Sequence, residues 1–218
     1  MLFARVLAAA VLGYFLGAVP FGLVVCRPFG LDPRKVGSGR TGGTNVYRTA
    51  GLPAALATIF LDILKGFVAV KLAALIVPVD SFGNATALAM SLAALAAIVG
   101  HNYSVFAGFR GGAGSTPNIG ALLAIDPVLF AVALIVAAIG MLGVRIASVA
   151  SLMLSVTIFI GLGWRVVDGA MPPATLLYSV GQLVIVTWAL RPNIRRLREG
   201  TERRIQYGSH HTPEGRSS

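Results

Sequence analysis

Cysteine, histidine and acidic residues are scarce in this 218-residue chain. A single cysteine, Cys26, excludes an intrachain disulfide and a thiolate metal cluster. The three histidines, His101, His210 and His211, have no zinc-ligand spacing, and no metal site is expected. Only 12% of the residues are charged while 56% are hydrophobic. A soluble domain with that composition runs out of interior in which to hide apolar surface. The expectation is therefore an all-α, polytopic integral membrane helical bundle, and the 26 glycines suit closely packed membrane helices.

Acidic residues number 8 against 18 lysines and arginines, a net charge of +10. The basic residues cluster in a few short loops and the C-terminal tail. That pattern speaks for membrane topology and for an anionic lipid or substrate, and no nucleic acid is expected.

A membrane span needs about 20 apolar residues. Candidate spans are 2–25, 52–77, 85–100, 117–125, 128–142, 148–164 and 174–190. The first is longer than the apolar region of a signal peptide and is read as a span. The fourth is short, so the expected count is about seven, or six if that segment does not cross. Basic stretches follow spans one, three, five and seven. Asp80, Asp126 and the Arg165/Asp168 pair follow the others. The positive-inside rule then puts the N-terminus outside and the C-terminus in the cytoplasm, with Arg5 as the one dissenting charge. Residues 1–200 read as a single transmembrane domain, and 201–218 as a polar cytoplasmic tail expected to be disordered. Every polar stretch of chemical interest falls on the basic, cytoplasmic face.

Two of these stretches look built for anions. The segment VGSGRTGGTNVYR (36–48) combines glycines, hydroxyls, Asn45, Arg40 and Arg48. Glycine lets backbone N–H groups approach a phosphate, and arginine can fork onto its oxygens. A flexible connector holding topogenic charge is the plainer alternative. The segment GFRGGAGSTPNIG (108–120) places Gly111, Gly112, Gly114 and Arg110 before Ser115 or Thr116 as a helix cap, with Pro117 as first helical residue. A helix N-terminus there attracts an anion; tight helix packing would also explain the glycines. No Walker loop or Rossmann fingerprint is present.

Asp62 and Lys65 in LDILKG (61–66) share one helix face inside a span, where an inward-facing, structural ion pair is expected. His101 suits either a general base or a cap for helix carbonyls. Ser148 and Ser151 suit either a phosphate or their own helix. Asn193 either points to the same face or caps the tail helix. No Ser-His-Asp set, nucleophilic cysteine or H-x-x-x-x-D pair is visible, so no covalent acyl-enzyme is supported.

Six stretches in this order resemble the bacterial acyl-phosphate:glycerol-3-phosphate acyltransferase family (PlsY): GYFLGAVPFG (13–22), GSGRTGGTNVYR (37–48), LDILKG (61–66), GHNYSVFAGFRGGAG (100–114), LLAIDP (122–127) and NIRRLREGTE (193–202). The resemblance implies transfer of an acyl group from acyl phosphate to the 1-hydroxyl of glycerol 3-phosphate, giving lysophosphatidic acid and phosphate without a cofactor. It implies a multi-pass protein of the bacterial cytoplasmic (inner) membrane, surrounded by membrane lipids and partnered by the enzyme that forms the acyl phosphate. It assigns Arg48, Ser38, Ser148, Asn193 and His101 to catalysis. Phosphate binding falls to Gly37, Gly39, Arg40, Thr44, Asn45, Arg110, Gly111, Gly112 and Gly114, with Asp62 and Lys65 as support. The chain departs from the family pattern at Arg40 (usually asparagine), Gly43 (alanine), Ala113 (a phosphate-binding lysine), 115–117 (Val-Ala-Thr) and Leu190 (histidine). Two readings follow. Arg40 or Arg110 replaces the lysine charge, or the chain binds lipid phosphate without turnover. A transporter fits less well, because the spans carry little charge beyond Asp62 and Lys65.

Overall fold

The computed structural model describes residues 1–77 and 83–205. Asp80 and the greater part of the expected tail, including His210 and His211, lie outside the described residues. Regular structure among the described residues is helical, with no strand.

The first expected span is two helices rather than one: α1, Leu2–Ala18, and α2, Phe21–Cys26. Pro20 is the cause. Its ring disfavours helical geometry at the preceding residue, and Val19 has φ −59 and ψ 116. Carbonyls freed at a break inside a membrane need donors. Here Lys65 Nζ donates to the Val19 carbonyl at 2.9 Å, and Ser104 Oγ donates to the carbonyl of Ala18.

Helix α3 runs Gly43–Ile76 and is interrupted at Gly51, whose φ of 82 and ψ of −176 are non-helical. Thr44, Asn45 and Arg48, expected in a loop, therefore stand on a helical segment in front of the span. Within the span α3 carries a third charge that sequence reading passed over, Lys71. Its ammonium donates to the Ala124 carbonyl at 3.2 Å. Helix α4, Asn84–Asn102, packs along α1.

The short fourth segment is α5, Ser115–Ile125. Its 11 residues rise about 16 Å, roughly half of a hydrocarbon core. It is buried against α3, where a Cβ on Gly120 would overlap the carbonyl oxygen of Ile63. A polar network holds its other side. Asn118 Nδ2 donates to Gln182 Oε1 (2.8 Å), Tyr178 Oη donates to Asn118 Oδ1 (2.6 Å), and Gln182 Nε2 donates to the Ser155 carbonyl (2.9 Å). Asn118, Gln182 and Tyr178 are fully buried, so each hydrogen bond avoids an unpaired polar group in an apolar interior.

Asp126 ends α5 and caps α6, Pro127–Ile139, accepting from the amides of Val128 (3.1 Å) and Leu129 (3.0 Å). It also pairs with Arg165 at 2.8 Å. A π-helical turn, Gly140–Val144, leads to α7, Ala147–Val167, and then to α8, Thr175–Ala189, and the basic α9, Arg191–Arg198. Among the described residues, four helical stretches are long and apolar enough to cross a membrane: Leu2–Phe29, Asn84–Ala107, Pro127–Val144 and Ala147–Val167. The protein is a helical membrane protein.

Candidate functional site

The two glycine-rich segments, the start of α7 and the α8–α9 junction meet at one end of the bundle. They enclose a cavity of about 560 Å³. Of the residues assigned by sequence, Gly37, Ser38, Arg40, Thr44, Asn45, Arg48, His101, Gly112, Ser148 and Asn193 line it. Gly39, Gly111 and Gly114 do not line it. Arg110 is exposed and does not line the cavity.

The first segment is shaped by Asn45. Its Nδ2 contacts the carbonyls of Pro33 (2.6 Å), Val36 (3.0 Å) and Arg40 (2.8 Å) as donor, and its Oδ1 accepts from the Ser38 amide at 3.0 Å. The side chain read from sequence as a ligand donor is thus consumed in folding the loop. Gly37 and Gly39, at φ 58 and φ 70, make the turn that this folding requires. The Thr41 amide donates to the Gly111 carbonyl at 3.4 Å and joins this segment to the second.

The second segment closes over the end of α4. The Gly112 amide donates to the His101 carbonyl at 3.0 Å, and a Cβ on Gly112 would overlap the His101 imidazole. Helix α5 starts at Ser115, with Gly114 (φ 88) as its cap, so the expected Ser115 or Thr116 cap does not form. The Ser115 hydroxyl instead donates to Ser151 Oγ at 2.7 Å, and Ser151 bonds back to the Ala147 carbonyl. Ala113 and Thr116 face the cavity.

Behind the wall, Asp62 and Lys65 form a buried ion pair of 2.8 Å. Lys65 Nζ also lies 3.0 Å from His101 Nδ1, and Asp62 Oδ1 lies 3.5 Å from it. His101 therefore belongs to a buried polar trio with Asp62 and Lys65 rather than capping helix carbonyls.

At the opposite wall stands a residue that sequence reading did not single out. Glu202 Oε1 accepts from Asn193 Nδ2 (2.6 Å) and Ser148 Oγ (3.0 Å), and Oε2 pairs with Arg196 (2.7 Å). Burial pushes the Glu202 carboxyl up. The hydrogen bonds from Asn193, Arg196 and Ser148 outweigh burial and hold it below its ordinary value. The signal was a lone TE inside an arginine-rich run. Arg196 and Arg203, equally unassigned from sequence, complete the lining with Arg40 and Arg48.

These four arginines face one glutamate, so the cavity is electropositive. Burial first, and Arg196 next, push the Arg40 guanidinium below its ordinary value. Burial first, and Arg203 next, do the same to Arg48. The cations crowd one another in a partly desolvated space, the condition that an entering anion relieves. Part of the lining is apolar, made by Ile59, Ile119, Ala137, Met141 and Leu154.

The family model of glycerol-3-phosphate acyltransferase matches residues 7–200. The chain belongs to this family. It is 40% identical over 200 residues to a glycerol-3-phosphate acyltransferase of Thermus thermophilus, covering 89% of this chain and 92% of that one. It is 42% identical over 197 residues to one of Cereibacter sphaeroides, covering 89% and 87%. Among solved structures it resembles PlsY, described as an integral membrane glycerol 3-phosphate acyltransferase, in its glycerol 3-phosphate form. The TM-score is 0.81 at 32% identity, over 92% of this chain and 96% of that one. The lysophosphatidic acid form of the same protein matches with a TM-score of 0.80. Ala113 and Leu190 both line the cavity. The guanidinium of Arg40 donates to the carbonyl of Ala189, next to Leu190, at 2.7 Å.

Proposed function

We propose that the cavity transfers an acyl group from acyl phosphate to the 1-hydroxyl of glycerol 3-phosphate, giving lysophosphatidic acid and phosphate. The observation that carries this reading is that one cavity is lined both by four arginines and by apolar side chains of α3, α5, α6 and α7. A donor with a phosphate head and an alkyl tail suits a lining that is part cationic and part apolar. The two PlsY structures, described as the glycerol 3-phosphate and lysophosphatidic acid forms, support acceptor and product.

Arg48 and Arg40 hold phosphate, with Ser38 and Thr44 as neutral donors. Asn193 and Ser148, set by Glu202, position the acceptor. Asn193 Oδ1 is buried and accepts from no protein donor among the described residues. The hydroxyl oxygen attacks the acyl carbon and the carbon–oxygen bond to phosphate breaks. The hydroxyl proton passes to a phosphate oxygen of substrate, so no protein nucleophile is needed. The chain supplies orientation and charge stabilisation. Arg40 supplies the positive charge that the family pattern places at 113. Arg110, exposed and outside the lining, does not. Residues 1–200, together with Glu202 and Arg203, carry this function in the bacterial inner membrane, with the cavity on the cytoplasmic side, where the acyl-phosphate-forming enzyme delivers the donor.

The test is turnover. Purified protein in lipid receives acyl phosphate and labelled glycerol 3-phosphate, and labelled lysophosphatidic acid is followed. The expected result is parental turnover that Arg48→Ala abolishes. Ala113 in the lining favours a second reading, a binder of lipid phosphate without turnover. An inactive parent beside an active Ala113→Lys variant would establish that reading instead.

A further inference from the structure

Helix α9 carries arginines on two faces. Arg196 lines the cavity. Arg191, Arg195 and Arg198, at i, i+4 and i+7, share the other face. They line a separate groove of about 940 Å³ with no residue in common with the cavity.

The groove has two chemically distinct parts. Its apolar wall comes from α8: Leu183, Val184 and Trp188. Val184 and Trp188 remain 61% and 60% exposed, on a helix that belongs to a membrane bundle. Its rim comes from α9. The Arg191 guanidinium lies 4.3 Å from the Trp188 ring centroid and donates to the Trp188 carbonyl at 3.3 Å. Arg195 pairs with Glu199 at 2.8 Å, but 82% of its side chain is exposed. Three arginines against one glutamate leave the rim positive. Tryptophan beside arginine at a helix end is the arrangement of a membrane–water interface, with an apolar body below and charge above.

We infer that this groove binds an anionic diacyl phospholipid of the bilayer. Its headgroup phosphate lies on Arg191, Arg195 and Arg198, and its acyl chains lie along Leu183, Val184 and Trp188. Arginine suits a phosphodiester because its planar fork can meet two oxygens. A zwitterionic lipid would bring a second cation to a rim that is already positive. The inference does not depend on the chemistry of the cavity.

Native mass spectrometry of the full chain, released from mixed phosphatidylglycerol and phosphatidylcholine, tests it. The expected result is preferential retention of phosphatidylglycerol, reduced about fivefold for each arginine replaced by glutamine. The triple variant Arg191→Gln/Arg195→Gln/Arg198→Gln should lose the preference. Arg195→Gln and Arg198→Gln alone should each weaken it, which keeps the test open if the triple variant does not fold. The control Arg27→Gln/Arg34→Gln/Lys35→Gln removes as much charge elsewhere and should retain the preference. Equal retention of both lipids by the parent would overturn the proposal, as would unchanged retention by the triple variant or equal loss in the control.

Discussion

The Arg40 guanidinium donates to the carbonyl of Ala189, 149 residues later, at 2.7 Å. Ala189 is the last residue of α8, so this bond ties the first glycine-rich segment to the junction that presents Asn193 and Arg196. One side chain thus serves as a tether and as a cation of the cavity.

Replacing Arg40 with alanine removes both roles. The KM for glycerol 3-phosphate should rise by about ten- to a hundredfold, the size of one lost charged hydrogen bond. Arg40→Lys restores charge without the fork and should recover part of the loss. Steady-state kinetics on the two variants check this.

Glu202 should make the α9 face of the cavity sensitive to acid. Its folded-state pKa is lowered from the ordinary 4.5, so its stabilising contribution is complete above that value. The contribution is lost as pH falls through the lower, folded value. Protection of residues 191–198 against hydrogen exchange, taken relative to intrinsic exchange at each pH, should fall on acidification below 4.5 in the parent. In Glu202→Gln, which cannot pair with Arg196, exchange should be fast already at neutral pH.

The Asp62–Lys65 pair should be costly to break from one side. Asp62→Ala leaves a buried ammonium without its counter-charge, a loss of about 3–5 kcal/mol. Asp62→Leu combined with Lys65→Met removes both charges and should be milder, although the Val19 carbonyl then loses its donor. Thermal unfolding in detergent orders the variants.

Gly112→Ala should reduce turnover sharply, because a Cβ there would overlap the His101 imidazole. Gly163 has no neighbour within 4 Å of the corresponding position, so Gly163→Ala should be tolerated. Parallel assays of the two variants separate the site from glycine replacement in general.

The helical membrane class was legible because hydropathy alone decides it. The kinked first span was less so: the break at Val19–Pro20 is tolerated only because Lys65 and Ser104, distant in sequence, satisfy its carbonyls. Lys71 was overlooked since its partner, the Ala124 carbonyl, lies on another helix. In the site, Arg48, Ser148 and Asn193 could be picked out by residue type. The roles of Asn45 and Glu202 could not. Asn45 looks like a donor for a ligand until the carbonyls of Pro33, Val36 and Arg40 are seen around it. Glu202 resembles a solvated charge until the fold carries it to Ser148. Arg110 was a plausible cation by proximity in sequence, and only the direction of its loop removes it from the cavity.

The central claim is that the cavity turns over acyl phosphate with Arg40 in place of a cation at 113. A cycle of four proteins tests it most directly: parent, Arg40→Ala, Ala113→Lys, and the double variant, assayed for labelled lysophosphatidic acid. The parent should be active, Arg40→Ala should lose most turnover, and adding Ala113→Lys to it should restore a substantial part. An inactive parent, or an Arg40→Ala variant as active as the parent, would rule out this role of Arg40.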